Sequence, residues 1–183
     1  MMRQIRLGKI FGSDGRSLIV AMDHAMAMGN VPGLDCPGQV IETVVSAGAD
    51  AIMVSPGMVK AYADRMGRTG LILRADGGGT YLGPQVPPRL RTNVPAALAM
   101  GADALVVMVY PGAPGGMDEV TLSNLAQLVE QGHRWGMPIL AEVIPFGDFS
   151  CKQCGPGQIA SCVRMAVEVG ADFIKTVYTG DKG

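Results

Sequence analysis

The stretch GADALVVMVY at residues 101–110 decides the fold of this chain. Its first three residues recur at 48–50 and at 170–172, and each time they follow a helix-like segment and precede an apolar run. Glycine supplies the left-handed conformation that ends a helix. An apolar run without alternation is typical of a parallel strand that is buried on both faces. The repeat therefore predicts helices that alternate with parallel strands.

Outward from this repeat, apolar runs predict six strands, at 17–23, 51–55, 71–75, 104–110, 138–144 and 172–178. Periodic segments between most of them predict helices, at 37–48, 57–66, 93–100, 118–135 and 156–169. The strand starts lie mostly 33 or 34 residues apart. This alternation and spacing indicate parallel β/α units.

An open doubly wound sheet and a (β/α)8 TIM barrel both fit this order. The barrel is favoured because polar residues end several different strands, as in barrel enzymes: Asp23, Ser55, Asp76, Tyr110, Glu142 and Lys175. The first strand is not followed by the glycine-rich turn that a dinucleotide-binding sheet needs. A complete barrel takes about 250 residues. We therefore expect residues 1–183 to form one α/β domain that supplies about six β/α units and lacks the last two.

The composition excludes several classes of protein. The 183 residues are 48% hydrophobic, with a mean hydropathy of +0.26, a net charge of −1 and a pI of about 6.1. Such a chain is too apolar for disorder and offers no basic surface to nucleic acid or to a membrane. The N-terminus has no apolar signal segment, and no apolar run approaches the ~20 residues that cross a bilayer. We expect a cytoplasmic protein.

Two cysteines have the spacing of half of a zinc or redox site, Cys151 and Cys154. A zinc site would need a second pair of ligands, and only Cys162 follows nearby. His24 and His133 are distant in sequence. We therefore expect no metal ion and no cofactor.

Lys175 is the residue that most clearly indicates chemistry. It lies three residues beyond the aspartate of the third repeat, where the other two repeats carry Met53 and Val106. Burying an ammonium at an apolar position is costly, which favours the neutral, nucleophilic amine. The alternative is a structural lysine that is paired with a core carboxylate.

Asp23 ends the first predicted strand, where it could position a substrate hydroxyl or move a proton. The alternative is an aspartate that caps a loop or helix. Ser55, Asp76 and His24 are candidates for substrate binding. His24 follows Asp23 directly, so its side chain points to the opposite face of the strand, as that of a structural residue would.

Two runs that contain these residues resemble a known family. The run AMDH at 21–24, followed by Gly29 and PGL at 32–34, resembles the AxDHG start of archaeal-type class I fructose-bisphosphate aldolases. That family includes the aminodideoxyheptulosonate synthases and the autoinducer-2 thiolase. Residues 170–181 resemble its GADxxKTxYTGD strand, whose core is similar to deoxyribose-phosphate aldolase. Residues 136–138 and the apolar strand after them match the fifth strand of the family, so the resemblance spans nearly the whole chain.

The resemblance implies a TIM barrel in which Lys175 forms a Schiff base with Asp23 as its catalytic partner. It also implies a homo-oligomer that acts on a sugar phosphate or another small carbonyl compound. We expect a metal-independent class I aldolase that makes or breaks a C–C bond. The alternatives are acyl transfer through the same lysine, which would require coenzyme A, and a non-catalytic barrel that binds a ligand or a partner.

The sequence also departs from the family. The family commonly reads DHG where residues 23–25 read DHA. Its fifth strand commonly ends MYPRG, and the tyrosine, which acts as acid and base, is here Ile144. Glu142 shares the strand face of Ile144 and is expected to move the proton instead, with Tyr178 as the other candidate. The phosphate site of the family lies in loops after strands seven and eight, which this sequence does not include.

Overall fold

The computed structural model describes residues 1–148 and 154–178. Its strands, in chain order, are β1 (Ile19–Ala21), β2 (Ala51–Val54), β3 (Gly70–Arg74), β4 (Asp76–Gly77), β5 (Arg89–Leu90), β6 (Ala104–Val109), β7 (Ile139–Val143) and β8 (Phe173–Thr176). Of these described strands, six form one parallel sheet in the order β1-β2-β3-β6-β7-β8, and β4 pairs with β5 in an antiparallel hairpin. The parallel sheet curls into part of a barrel, which confirms the predicted TIM-barrel class.

One helix precedes the first strand, and the others lie between strands along the chain. In chain order they are α1 (Met2–Ile10), α2 (Ala25–Met28), α3 (Pro37–Ser46), α4 (Pro56–Tyr62), α5 (Val94–Ala99), α6 (Met117–Trp135) and α7 (Pro156–Val169). Short 3-10 turns occupy Ala63–Arg65 and Pro145–Gly147. The five predicted helices are confirmed, and α1, α2 and the β4–β5 hairpin are additions that the sequence did not predict. None of the helices in the described ranges has the length and apolarity needed to cross a bilayer.

The recurring GAD motif directly precedes a strand in each of its three copies. Its glycines, at 48, 101 and 170, have φ of 87°, 78° and 112°, which confirms their left-handed conformation after a helix. Each aspartate accepts a backbone N–H from the start of the neighbouring strand: Asp50 from Leu18 (2.7 Å), Asp103 from Leu71 (3.1 Å) and Asp172 from Ile139 (2.7 Å). Each aspartate N–H donates back to the carbonyl of the same residue. These paired bonds set the register between successive units, because they fix where each strand begins.

Apolar layers cover both faces of the parallel sheet. On the outer face, alternate strand residues pack with the helices around Ile52, Leu105 and Leu125. On the inner face, the remaining strand residues form a second cluster: Ala51, Met53, Ile72, Ala104, Val106 and Leu140, with Phe173 packed against it. Ile10 of α1 is fully buried in this inner cluster.

Helix α1 closes the N-terminal end of the barrel. Arg3 forms an ion pair with Asp172, and Lys9 Nζ lies 2.9 Å from Asp103 Oδ1. The ring of Phe11, which follows the helix, meets that of Phe173 edge-on at 5.5 Å between centroids. Because this end is filled by apolar side chains and ion pairs, the opposite, C-terminal end of the strands is the open end at which a site can form.

Candidate active site

Charged side chains continue the inner face of the sheet toward the C-terminal ends of the strands. Asp23, Arg74, Glu142 and Lys175 each follow, by two residues, an apolar residue that belongs to or packs against the inner cluster. Residues two apart on a strand share one face. The alternation that buries the apolar cluster therefore also brings these four charged side chains to one place.

Lys175 and Glu142 form an ion pair across β7 and β8. The two residues are direct partners in the strand register, and Nζ of Lys175 donates to Oε1 of Glu142. The Glu142 side chain is 4% exposed and the Lys175 side chain 40%. The lysine is therefore paired with a core carboxylate, as in the second alternative from the sequence. This pairing also places a carboxylate within hydrogen-bond reach of an amine, an arrangement in which the carboxylate can take a proton from the amine.

A buried arginine joins this pair to two further carboxylates. Nε of Arg74 donates to Oδ2 of Asp23 at 2.6 Å, and Nη2 donates to Oε2 of Glu142. Nη1 lies 3.4 Å from Oδ1 of Asp76. Burial disfavours the charge on Arg74, but the three carboxylates hold its pKa above the ordinary value. Arg74 is therefore a permanent cation at the centre of the cluster.

The pKa values of two carboxyl groups in the cluster, those of Glu142 and Asp76, are shifted in opposite directions. Burial alone would raise the pKa of Glu142, but the charges of Arg74 and Lys175 lower it below its ordinary value. Burial raises the pKa of Asp76 above its ordinary value, against the opposing effects of Arg74 and of the Met108 N–H, which donates to Oδ2 at 2.9 Å. Of these two carboxyl groups, Glu142 is therefore the stronger acid, and it is ionised at neutral pH.

Tyr110 directly follows β6, beside the cluster. Burial raises the pKa of its phenol to about 12, and Asp76 adds to that effect. The phenol therefore keeps its proton at neutral pH. The sequence placed Tyr110 at a strand end without giving it a role.

The structure brings four of the predicted site residues together, namely Lys175, Glu142, Asp23 and Asp76. The Asp23 side chain is 6% exposed and bound to Arg74. Asp76 is fully buried, and its two oxygens face Arg74 and the Met108 N–H. In that position Asp76 contacts Arg74 and the backbone of β6, whereas the sequence analysis gave it a substrate-binding role.

The other three predicted site residues lie around the cluster. Ser55 is half-buried and shares the strand face of Met53, whose Sδ is 3.6 Å from Nη2 of Arg74. His24 precedes α2, and its Nδ1 is buried without a hydrogen-bond partner among the described residues. Tyr178 is 75% exposed beyond the end of β8, so the structure does not bring it into the cluster.

Arg74 is the central residue that the sequence analysis missed. It interrupts the apolar strand at 71–75, two residues before Asp76 and on the same face. That is the signal that identified Lys175, namely a cation at an apolar strand position. Applied to 71–75, the same argument predicts a buried arginine that requires carboxylate partners.

The part of the chain that the structure describes contains no group of three or more His, Cys, Asp or Glu side chains arranged to hold a metal ion. Of the two cysteines with half-site spacing, Cys151 lies outside the described residues, and Cys154 takes part in a disulfide bond. Cys36 and Cys162 are free thiols.

Comparison with known proteins identifies relatives along nearly the whole chain. The family described as DeoC/LacD family aldolase matches residues 17–182. A 2-amino-3,7-dideoxy-D-threo-hept-6-ulosonate synthase from Halobacterium salinarum is 34% identical, over 96% of this chain and 64% of its own length. A class 1 fructose-bisphosphate aldolase from Thermoproteus tenax is 28% identical, over 94% of this chain and 66% of its own length. The chain thus spans slightly less than two thirds of both relatives.

A solved structure agrees with these matches. It is an archaeal fructose-1,6-bisphosphate aldolase with its catalytic lysine covalently bound to the carbinolamine intermediate of the substrate. The two chains superimpose with a TM-score of 0.83 at 27% identity, over 99% of this chain and 72% of that chain. The family match over residues 17–182 leads to one conclusion: the chain belongs to the DeoC/LacD family of aldolases.

Proposed function

We propose that this protein is a class I aldolase that makes or breaks a C–C bond in a phosphorylated sugar or related keto compound through an imine on Lys175. The single observation that carries the proposal is the contact between Nζ of Lys175 and the buried carboxylate of Glu142 at the open end of the barrel. Two comparisons support it: a relative named as a fructose-bisphosphate aldolase, and a similar structure whose catalytic lysine holds a carbinolamine.

Imine formation begins with a proton transfer within the ion pair. The Lys175 ammonium gives a proton to Oε1 of Glu142, and the free amine adds to the substrate carbonyl carbon to form a carbinolamine. Glu142 then returns the proton to the carbinolamine hydroxyl, which leaves as water. The nitrogen lone pair forms the C=N bond, so the product is a protonated imine and Glu142 is a carboxylate again.

Cleavage follows from the electron demand of the imine. The protonated imine draws the electron pair of the adjacent C–C bond and becomes an enamine, while the hydroxyl on the departing carbon loses its proton and becomes an aldehyde. Asp23 is the proposed acceptor of that proton, since Arg74 fixes it on the inner face near Glu142. Protonation of the enamine and hydrolysis of the resulting imine then free Lys175.

The remaining features of the proposal concern cofactors, substrate contacts, compartment and assembly. The steps use amine and carboxyl groups of the chain, so the reaction needs neither a metal ion nor a cofactor. Ser55 and His24 are proposed to contact the substrate, because Ser55 lies on the inner face and the buried Nδ1 of His24 has no partner among the described residues. We also propose a cytoplasmic homo-oligomer.

Turnover of a panel of ketose phosphates that includes fructose 1,6-bisphosphate tests the proposal, with the released aldehyde measured by a coupled assay. We expect cleavage that EDTA does not affect and that Lys175→Met abolishes. Lys60→Met, which removes an exposed lysine on α4, is the matched control and should cleave normally. Cleavage that persists in Lys175→Met, or that requires a metal ion, contradicts the proposal.

A further inference from the structure

Asp76 and Arg74 form a buried unit that takes no part in the proton transfers and bond changes of the proposed steps. Oδ2 of Asp76 accepts the N–H of Met108 in β6 at 2.9 Å, and Oδ1 lies 3.4 Å from Nη1 of Arg74. Asp76 is fully buried, and the Arg74 side chain is 5% exposed. The guanidinium is thereby anchored to the backbone of a central strand.

From this anchor, Arg74 reaches the two carboxylates that the proposed chemistry requires. Nε contacts Asp23, and Nη2 contacts the oxygen of Glu142 that Lys175 does not use. The guanidinium is planar and rigid, so its nitrogen atoms fix both carboxylates relative to each other. A lysine at this position carries the same charge on a single nitrogen and lacks the three separate nitrogen atoms that contact the three carboxylates.

The charges of the cluster point to a second effect of Arg74. Three carboxylates, those of Asp23, Asp76 and Glu142, face two cations, Arg74 and Lys175. Without Arg74, the three buried carboxylates would share Lys175 alone, and their mutual repulsion would favour protonation of at least one of them. Arg74 thus favours the ionised form of Glu142, together with Lys175.

We propose that Arg74, anchored by Asp76, is a positioning residue that holds Glu142 against Lys175, fixes Asp23 beside them and keeps Glu142 in its proton-accepting form. This inference rests on the proposed function of Lys175. It goes beyond that function because it assigns a role to two residues that do not react with the substrate.

The test measures the reaction of Lys175 with acetylacetone, a 1,3-diketone. Condensation of the diketone with a reactive amine releases water and gives an enaminone, which absorbs strongly in the near ultraviolet. The rate is measured against pH in the wild type, Arg74→Gln and Arg74→Lys. The Lys175–Glu142 pair reacts when the amine and the carboxylate share one titratable proton, so that either group can carry it. The acid limb of the rate profile therefore follows the pKa of Glu142.

In Arg74→Gln, the loss of the cation raises the pKa of Glu142, so we expect the acid limb to move to higher pH by about one unit or more. In Arg74→Lys, the charge remains, so the limb should stay near that of the wild type. The rate should fall about 10- to 100-fold, because one ammonium does not hold both carboxylates in place. Arg3→Gln is the matched control: it breaks the ion pair with Asp172 at the closed end of the barrel and should change neither limb nor rate.

The inference is overturned if Arg74→Gln reacts at the same rate as the wild type and the acid limb of its pH–rate profile lies at the same pH. If Arg74→Gln does not fold, the double variant Arg74→Gln/Asp76→Asn removes one charge of each sign and keeps an acceptor for the Met108 N–H. We expect the same shift of the acid limb in the double variant, and the absence of that shift would also overturn the inference.

Failure of the proposed function is a separate outcome. No enaminone on Lys175 in the wild type would contradict the proposed function of Lys175 itself. The effect of Arg74 on Glu142 is then measured directly, by the ¹³C NMR titration of the Glu142 carboxyl in the wild type and in Arg74→Gln. An upward shift of the Glu142 pKa in the variant supports the role of Arg74, and an unchanged titration overturns it.

Discussion

Replacing Glu142 with glutamine tests its proposed role as the proton acceptor of the site. The glutamine keeps the volume of the side chain but removes the charge that contacts both Lys175 and Arg74. Because a general acid–base group contributes about 10²–10⁴-fold, we expect turnover to fall at least ~100-fold. The imine on Lys175 should still form, because the lysine itself is unchanged. It should form more slowly, because the carboxylate that takes the proton from the lysine is gone.

The same substitution has a structural cost. Glu142 accepts two charge-assisted hydrogen bonds, each worth about 1.5–3 kcal/mol. Glutamine can accept only one of them, because its amide nitrogen is itself a donor. Relief of the repulsion from Asp23 and Asp76 offsets part of the loss. We therefore expect Glu142→Gln to lower the free energy of unfolding at pH 7 by about 2–4 kcal/mol.

The pH dependence of that cost has a definite sign. The pKa of Glu142 in the folded protein is lowered by Arg74 and Lys175. Its charge therefore stabilises the fold fully above the unfolded pKa of about 4.3, and the contribution is lost as the pH falls through the folded pKa. The difference in unfolding free energy between wild type and variant should be full at pH 7 and disappear in acid.

Urea unfolding monitored by circular dichroism at several pH values, beside steady-state turnover, measures both effects. The control is Glu130→Gln, which breaks the surface pair with Arg134 and should cost less than about 0.5 kcal/mol. Near-normal turnover in Glu142→Gln would refute its role as proton acceptor and direct attention to the phenols of Tyr110 and Tyr178. A stability difference that grows as the pH falls would refute the sign argued here.

Two further predictions concern stability and are also measured by urea unfolding. Asp103→Ala leaves the N–H of Leu71 unpaired in a buried position and should cost about 2–3 kcal/mol. Asp50→Ala should cost less than about 1 kcal/mol, since that aspartate and its partner are exposed to water; equal losses would contradict this. Ile10→Ala removes a fully buried side chain from the closed end of the barrel and should cost about 2–5 kcal/mol. Ile5→Ala on the same helix, at a position 55% exposed, should cost less than about 0.5 kcal/mol, and a larger loss than for Ile10→Ala would contradict the role given to α1.

The sequence predicted the sheet well because its signal is local. Each predicted strand is an apolar run that begins after a glycine or a turn, and all six are present, most of them shortened by one to three residues. The hairpin of β4 and β5 was missed because Asp76–Gly77 and Arg89–Leu90 are only two residues each, too short for any periodicity. Helix α1 was missed because only Ile10 of its nine residues is buried, so it has little apolar pattern.

The site was only partly predictable, because its contacts join distant residues. The position of Lys175 in an apolar strand was visible, but its partner Glu142 lies 33 residues away, and the register of β7 and β8 decides that they meet. The role of Arg74 depends on Glu142, 68 residues away. The placement of Tyr178 depends on where β8 ends, at Thr176, and strand ends are poorly defined by sequence.

The most direct measurement of the central claim is borohydride trapping of an imine on Lys175. The protein is incubated with ketose phosphates or small aldehydes and then reduced, and mass spectrometry locates the adduct within the peptide that contains residues 173–178. The account predicts a stable adduct on Lys175 that is absent from Lys175→Met and unchanged in Lys60→Met. Trapping that survives in Lys175→Met, or an adduct that forms on Lys60 instead, would contradict it.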